Sequence, residues 1–225
     1  MDFVIPIVFP EYLIVVNERP FDIHVPDLIP GRELFPHFVR VPVTRLPEIG
    51  HAGVLFIEGR TGTTKYYEYG RYKTTLGWVM RRPIPDVEIG SGGWPTTSSL
   101  KAALHSISQQ AGQKGPIEGA FIALPDGSYG AMYAYARKRM LENNDPNRPP
   151  YSLLTHSCLQ FMKQVAEEGG ADMPIVVDPR PDGYIQRVRE QFPSLDYSPR
   201  TETLSIPSIE NYDTPHYKAG SKRTL

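Results

Sequence analysis

The single cysteine of this chain, Cys158, lies where a thiol could serve as a nucleophile. It opens the run CLQFMKQVAEEGG, in which apolar residues recur at helical spacing, and the polar residues THS come directly before it. We therefore predict a helix that begins just before the cysteine. A thiol in the first helical turn lies near unpaired backbone N–H groups and the positive end of the helix dipole, and both favour the thiolate. The alternative is a cysteine buried as a small apolar side chain.

A nucleophilic cysteine requires a base, and His51 is the best candidate among the six histidines. It opens the β-prone run HAGVLFIEG directly after Gly50, and Gly53 follows two residues later. Because glycine has no side chain, both positions leave room beside the imidazole for another backbone or a substrate. The alternative is an ordinary histidine at the end of a strand.

An acid on the next strand is the candidate partner of His51. The stretch RTGTT predicts a turn and KYYEYGRYK is a second β-prone run, so the two runs are typical of an antiparallel hairpin. In such a hairpin Glu68 would lie opposite or diagonal to His51, where a carboxylate orients the imidazole and stabilises its protonated form. The alternative is that Glu68 faces solvent and that Asp126 or a tyrosine assists the histidine.

The remaining pattern predicts the elements that must position these residues. A helix with its N-cap at Thr97 or Ser98 covers SLKAALHSISQQAG, and a buried strand covers IEGAFIAL. A second helix lies in DGSYGAMYAYARKRMLENN, and a short helical piece surrounds GYIQRVREQF. Residues 1–45 contain short extended pieces interrupted by prolines, which is typical of edge strands or an extended lead-in.

The distribution of proline predicts a compact centre with extended arms. The chain has 225 residues and 23 prolines, which crowd the first and last 50 residues. We expect a single domain over residues 1–197, with its core at about 46–170. The tail at 198–225 is polar and proline-rich, and we expect it to be extended or partly disordered.

Charge and hydropathy exclude several classes of partner. The formal net charge is −1, from 24 basic and 25 acidic residues, which argues against binding to nucleic acid or an anionic membrane surface. No stretch approaches the roughly 20 apolar residues of a membrane span. The opening MDFVIPIVFPEYLIVV lacks a basic segment and is interrupted by prolines, so we expect no signal peptide. The candidate chemistry requires neither a metal nor a cofactor, and we expect none.

Three blocks, GHAGVLFIEG, KYYEYGRY and LLTHSCLQFMKQV, resemble the circularly permuted papain-like cysteine hydrolases. That group includes permuted relatives of the NlpC-type cell-wall peptidases and the lecithin retinol acyltransferase family, in which the histidine strand comes first and the cysteine helix last. The resemblance covers about residues 50–166 and implies an α+β fold, a small antiparallel sheet packed against helices. One departure is Ser157, because many relatives carry Asn immediately before the cysteine.

The same resemblance implies a role for each candidate residue. Cys158 would be the nucleophile, His51 the base and Glu68 the orienting residue. The backbone N–H of Cys158 would supply one oxyanion donor. A further oxyanion or substrate contact would come from one of three tyrosines: Tyr67, Tyr69 or Tyr72.

Within that group the chain resembles amidase effectors delivered by type VI secretion. This resemblance implies a protein made in the cytoplasm without an export signal and injected into the periplasm of a rival cell, where it cuts an amide bond in peptidoglycan peptides. An immunity protein and the secretion apparatus would be its partners.

Two alternatives remain open at this point. The first is a thiol acyltransferase or lipid hydrolase on the same fold, with Trp78 or Trp94 beside an apolar groove. The second is a non-enzymatic binding module in which Cys158 belongs to the core and His51 is only a hydrogen-bonded histidine.

Overall fold

The computed structural model describes residues 1–13, 21–24, 38–41, 50–72, 76–152 and 155–206, with the backbone alone described at 21–24 and 38–41. The strands are β1 (Asp2–Phe9), β2 (Phe21–His24), β3 (Phe38–Val41), β4 (His51–Ile57), β5 (Thr64–Gly70), β6 (Trp78–Arg82), β7 (Ile117–Ala120), β8 (Ile122–Leu124), β9 (Ser194–Ser198) and β10 (Thr203–Ser205). The α-helices are α1 (Thr97–Gln110), α2 (Ser128–Leu141), α3 (Cys158–Glu168) and α4 (Pro181–Arg189), and a 3-10 turn at Glu142–Asn144 follows α2.

An antiparallel sheet of eight strands organises the fold. Its order is β10-β9-β7-β1-β4-β5-β6, and β8 follows β7 alongside β1. The strands β2 and β3 pair with each other in a separate antiparallel ladder. The α+β class with an antiparallel sheet, expected from the sequence, is confirmed.

The first strand lies at the centre of this sheet. β1 is buried along its whole length and pairs with β4 on one side and with β7 and β8 on the other. The expectation that residues 1–45 supply only edge strands or an extended lead-in is therefore wrong for β1. The predicted core of about 46–170 likewise omits a strand that contacts both halves of the sheet.

The proline within β1 is accommodated by an interruption in the neighbouring ladder. Proline has no N–H to donate, and for this reason it is usually confined to sheet edges. On the β7 and β8 side of β1, Ile5 and Pro6 have no paired residue in the ladders, and the N–H of Phe121, between β7 and β8, donates to the carbonyl of Pro193 at 2.8 Å. The run IEGAFIAL, expected as one strand, is therefore two.

Helices cover both faces of the sheet and divide the core. Three helices, α2, α3 and α4, pack on one face, and α1 packs on the other. The core beneath α3 includes Ala52, Val54, Tyr67 and Phe161, whereas the core beneath α1 includes Ile7, Leu55, Tyr66 and Leu104. Because side chains alternate along a strand, neighbouring residues of β4 and β5 enter different halves of the core.

The predicted hairpin and the predicted cysteine helix are both confirmed. β4 and β5 pair antiparallel with Gly53 opposite Glu68. α3 begins at Cys158 and ends at Glu168, just before the two glycines that the sequence marks as its stop. The N-cap of α1 is Thr96, one residue before the earlier of the two expected caps.

The sheet extends beyond residue 197, where the tail was expected to begin. β9 and β10 form an antiparallel pair, and β9 also pairs with β7. Residues 207–225 of the expected tail, and residues 14–20, 25–37 and 42–49 of the expected lead-in, lie outside the described residues. Within the described parts of the chain, no helix has both the length and the apolar character needed to cross a membrane.

Candidate active site

Cys158 is the first residue of α3 and lies against the sheet. The side chain of Ser157 caps the helix by accepting a hydrogen bond from the N–H of Gln160 at 3.3 Å. Ser157 therefore serves as the helix N-cap at the position where many of the permuted papain-like hydrolases carry Asn. The N–H of Cys158 itself belongs to the first turn and has no acceptor within the helix. Only 5% of Cys158 is exposed, so the residue is buried.

His51 begins β4, at the end of the strand nearest the helix N-terminus. It is paired with Phe9 in the sheet, and its ring packs against the rings of both Phe9 and Tyr12, with centroids 6.0 and 4.9 Å away. The preceding residue, Gly50, has a φ of 64°, a conformation that favours glycine, and a Cβ there would lie 3.3 Å from the carbonyl oxygen of Phe9. These contacts fix the imidazole, and the side chain of His51 is 9% exposed.

The imidazole of His51 bonds to the carboxylate of Glu68 across the hairpin. The Nε2 atom lies 3.1 Å from Oε2 of Glu68, and the hydroxyl of Tyr72 lies 3.3 Å from the same nitrogen. Because Nε2 is engaged in this way, Nδ1 is the nitrogen left for the thiol.

Glu68 is the most deeply buried of the three residues, with 1% exposure, and its carboxylate is hydrogen-bonded by His51, Tyr66, Arg82 and Tyr72. Arg82 of β6 donates to Oε1 from Nε and lies within 2.8 Å through Nη2 as well. The hydroxyl of Tyr66 donates to Oε2 at 3.2 Å, the oxygen that also bonds to His51. A buried carboxylate is tolerated when it is paired and hydrogen-bonded in this manner.

The Cys158 thiol interacts with three groups that stabilise its negative charge. Burial alone raises the pKa of the thiol, but hydrogen bonds from His51, the N–H of Ala52 and the hydroxyl of Tyr151, together with the charge of His51, bring it below its usual range. The Tyr151 hydroxyl lies 3.8 Å from the sulfur. The structure therefore brings Cys158, His51 and Glu68 together at one end of the sheet.

The same contacts act on the imidazole and on the carboxylate. Burial disfavours the imidazolium, but hydrogen bonds and charges from Cys158 and Glu68 outweigh burial and raise the pKa of His51 to about 10. Burial also raises the pKa of Glu68, whereas His51 and Arg82 lower it below its usual value. Such an arrangement favours a thiolate and an imidazolium, the pair that nucleophilic attack and protonation of a leaving group require.

The three tyrosines named from the sequence occupy different places. Tyr72 contacts His51 directly. Tyr69 lies on the α3 face of the sheet and stacks on Tyr151 and Phe161, so it contacts a neighbour of the sulfur. Tyr67 is buried, stacks on Phe56 in the core and makes no contact with the three residues. The alternation of β5 explains this, because Glu68 points to the opposite face from Tyr67 and Tyr69.

Two further sequence suggestions lie away from the site. Asp126 pairs with the amino group of Met1, at the opposite end of β1 from His51, and its side chain is 86% exposed. Trp94 packs against both Phe3 and Phe121 beneath α1. Neither residue can assist the histidine or border the thiol. Within the described residues, no group of three or more His, Cys, Asp or Glu side chains is arranged to hold a metal ion.

Sequence reasoning missed Arg82, Tyr66 and Tyr151. Tyr66 lies two residues before Glu68 on β5 and therefore on the same face, so the period-2 alternation could have identified it. Arg82 lies on that face too, but on the neighbouring strand β6. Arg82 required knowledge that β6 pairs with β5. No local signal marks Tyr151, which lies seven residues before the cysteine in a connecting segment.

The chain is similar to known proteins over most of its length. A family model described as type VI secretion system effector TseH-like matches residues 4–173, a span that includes His51, Glu68 and Cys158. The crystal structure of the type VI secretion system effector TseH is 34% identical in sequence, with a TM-score of 0.71, and the match covers 91% of this chain and 97% of that chain. The comparison with curated proteins found no match.

Proposed function

The chain belongs to the TseH-like family of type VI secretion system effectors, and we propose that it acts in a target cell as a cysteine hydrolase that cleaves an amide bond. The observation that carries this proposal is the hydrogen-bonded series Cys158, His51 and Glu68 at the N-terminus of α3. The order of histidine strand, acidic strand and cysteine helix supports a permuted papain-like fold as part of the same proposal.

The proposed first step is acylation of the enzyme. The Cys158 thiolate bonds to the carbonyl carbon of the amide, and the carbonyl electron pair moves to oxygen. The N–H of Cys158 donates to this oxyanion, because it lies in the first turn of α3, where the helix offers it no acceptor, and its contact with the hydroxyl of Tyr151 can be exchanged for the oxyanion. The electron pair on oxygen then re-forms the carbonyl as the C–N bond breaks, the imidazolium of His51 gives its proton to the leaving nitrogen, and a thioester remains on Cys158.

The second step releases the acid. Neutral His51 takes a proton from water, the resulting hydroxide attacks the thioester, and the C–S bond breaks to regenerate the thiolate beside an imidazolium. Glu68 remains ionised throughout and orients the ring through its bond to Nε2. Burial of the pair Glu68 and His51 excludes water that would weaken this bond.

We propose a peptide of peptidoglycan as the substrate. Membership of a type VI secretion effector family implies delivery into target cells, and peptidoglycan is an amide-rich polymer that such a protein meets in the periplasm. The secretion apparatus and an immunity protein are the partners that this role requires.

Purified protein and isolated peptidoglycan provide the direct test. Wild-type protein is expected to release new amino groups, and Cys158→Ala is expected to release none, because the nucleophile is lost. The variant should remain folded, since removing one sulfur at a helix start costs little packing compared with a large core truncation. Release of amino groups that persists in Cys158→Ala would contradict the mechanism.

Expression in a bacterium tests the site of action. Fusion to a signal peptide should direct the wild-type protein to the periplasm and cause lysis or rounding, whereas the same protein without the fusion should be tolerated. Cys158→Ala with the signal peptide is the matched control and should be harmless at equal abundance. Toxicity in the cytoplasm would argue against peptidoglycan as the substrate.

A further inference from the structure

A tyrosine that precedes the cysteine helix makes direct contact with the sulfur. The hydroxyl of Tyr151 points at Sγ of Cys158 from 3.8 Å, a distance at which an O–H can donate to sulfur. A phenol carries one donor hydrogen, and a thiolate is a better acceptor than a thiol because hydrogen bonds to charged groups are stronger.

The ring of Tyr151 is held in place by an aromatic series. It stacks on Tyr69 with ring centroids 5.7 Å apart, and Tyr69 stacks on Phe161 at 6.0 Å. Phe161 belongs to α3, the same helix as Cys158. The guanidinium of Arg139 lies 5.7 Å from the centre of the Tyr69 ring. The hydroxyl and the sulfur are therefore fixed relative to each other through the same helix.

The backbone on both sides of Tyr151 is also tied down. Pro150 forms an antiparallel bridge with Leu76, and Ser152 forms one with His156 through hydrogen bonds of 3.1 and 2.9 Å. This second bridge leads directly into the N-cap of α3. The segment thus holds Tyr151 against Tyr69 of β5 with its hydroxyl at the sulfur.

We propose that Tyr151 is a further catalytic residue whose hydroxyl donates a hydrogen bond to the Cys158 thiolate and keeps it available for attack, a role that rests on the proposed hydrolase function. Two other groups donate to the sulfur, the His51 side chain and the N–H of Ala52 in β4. Tyr12 lies close enough for the negative charge of Cys158 to raise the pKa of its phenol, after the larger effect of burial. Tyr151 is the donor contributed by the connecting segment.

The phenol stays protonated over the working range of the site. Burial and the nearby charge of Cys158 raise the pKa of Tyr151 well above its usual value. Tyr151 is therefore protonated at neutral pH, where it can donate to the thiolate, and it does not compete with His51 as a base.

Alkylation of Cys158 by iodoacetamide, followed by mass spectrometry across a pH series, tests this role without any substrate. In Tyr151→Phe the ring and its stacking remain and only the hydroxyl is lost. The alkylation rate falls in acid as the thiolate is protonated, and this acid limb of the profile should move to higher pH in the variant. Rates on the acid limb should be about tenfold lower, as expected for the loss of one hydrogen bond to a charged group. Tyr133→Phe removes a hydroxyl from α2 away from the sulfur and should leave the profile unchanged.

A fluorinated tyrosine at position 151 provides the second measurement, because it donates more strongly than tyrosine and should move the acid limb to lower pH. An unchanged limb in both variants would overturn the proposal. So would a fall in peptidoglycan hydrolysis without a change in alkylation, which would assign the hydroxyl to the oxyanion instead. A wild-type Cys158 no more reactive than a free thiol would contradict the hydrolase function itself, and these outcomes are thus distinguishable.

Discussion

His51 and Glu68 lie diagonally across the β4–β5 hairpin, and Nε2 of the imidazole is 3.1 Å from Oε2 of the carboxylate. The residue directly opposite Glu68 is Gly53, two positions after His51 and on the same face of the sheet. A slip of one residue in this register would turn Glu68 to the α3 face and bring Tyr67 or Tyr69 toward the imidazole. The hairpin register therefore determines whether the histidine has a carboxylate partner.

Replacing Glu68 with Gln should lower the rate of hydrolysis far more than it lowers substrate affinity. The amide cannot stabilise the imidazolium as a carboxylate does, and kcat should fall on the order of 100-fold. The free energy of unfolding should also fall, by about 2 kcal/mol, because Arg82 loses its buried ionic partner. Steady-state kinetics and urea unfolding measure the two effects.

The matched control is Glu58→Gln, at the other end of the same hairpin, where a carboxylate bonds to a threonine hydroxyl near the turn. This variant should retain wild-type kinetics. Equal turnover in Glu68→Gln and wild type would remove Glu68 from the mechanism and leave Cys158 and His51 as a pair.

Arg82 should act as a positioning residue through Glu68. The pKa of Glu68 is lowered by His51 and Arg82 against the effect of burial. A carboxylate with a lowered pKa stabilises the fold above its unfolded pKa, and that stability is lost as the pH falls through the folded value. The melting temperature of Arg82→Gln should therefore lie below that of the wild type at pH 7, and the difference should shrink as the carboxylate is protonated in acid.

Two comparisons make this prediction specific. Arg82→Lys keeps a cation and should restore part of the stability and part of kcat. Arg81→Gln changes the adjacent residue, which is exposed and points to the other face of β6, and should behave as wild type in both measurements. A stability difference that is constant with pH would contradict a role through the Glu68 carboxylate.

Local patterns predict the elements that carry the three candidate residues. The hairpin follows from two β-prone runs around RTGTT, and α3 follows from apolar spacing, a polar start and a double-glycine stop. These signals act within about 20 residues, so they are readable before the fold is known. They identify His51, Glu68 and Cys158 but not the groups that support them.

The supporting groups depend on contacts between distant parts of the chain. Arg82 reaches Glu68 only because β6 pairs with β5, and the pattern of the sequence shows no turn that predicts this pairing. The central place of β1 is hidden for a similar reason. Pro6 is typical of an edge strand, and only the break between β7 and β8 makes a central position possible.

Gly53 should not tolerate a side chain. An added Cβ would lie 2.2 Å from the hydroxyl of Tyr66 and 2.6 Å from its ring, and Tyr66 is buried and bonded to Glu68. Gly53→Ala should therefore displace the tyrosine and lower the melting temperature by about 2–10 °C, as expected for overpacking in a chain of this size. Calorimetry together with the hydrolysis assay measures both consequences. Gly130→Ala, in open space on α2, is the control and should not lower stability.

The pH dependence of the reaction should reflect the thiolate and the imidazolium together. The pKa of Cys158 is lowered below its usual range by His51, Ala52 and Tyr151 despite burial, and the pKa of His51 is raised to about 10 by Cys158 and Glu68 despite burial. Alkylation of Cys158 should therefore remain fast at neutral pH and decline only in acid, where the thiolate takes up a proton. Because the two groups interact, the pKa values read from such a pH profile belong to the pair of Cys158 and His51 and not to either residue alone.

Hydrolysis needs a protonated His51 as well as the thiolate, whereas alkylation needs the thiolate alone. The two pH profiles should therefore differ on the alkaline side. Leaving-group departure requires a protonated His51, so kcat should fall as the pH rises through about 10, whereas alkylation of the thiolate should persist there. In His51→Ala the acid limb of alkylation should move up toward the range of an ordinary thiol, because burial then acts without the cation. Alkylation by iodoacetamide and hydrolysis of peptidoglycan, followed from pH 4 to 11, measure both profiles. Wild-type alkylation that rises only above the usual thiol range would show that Cys158 is a buried structural residue without an ionised partner.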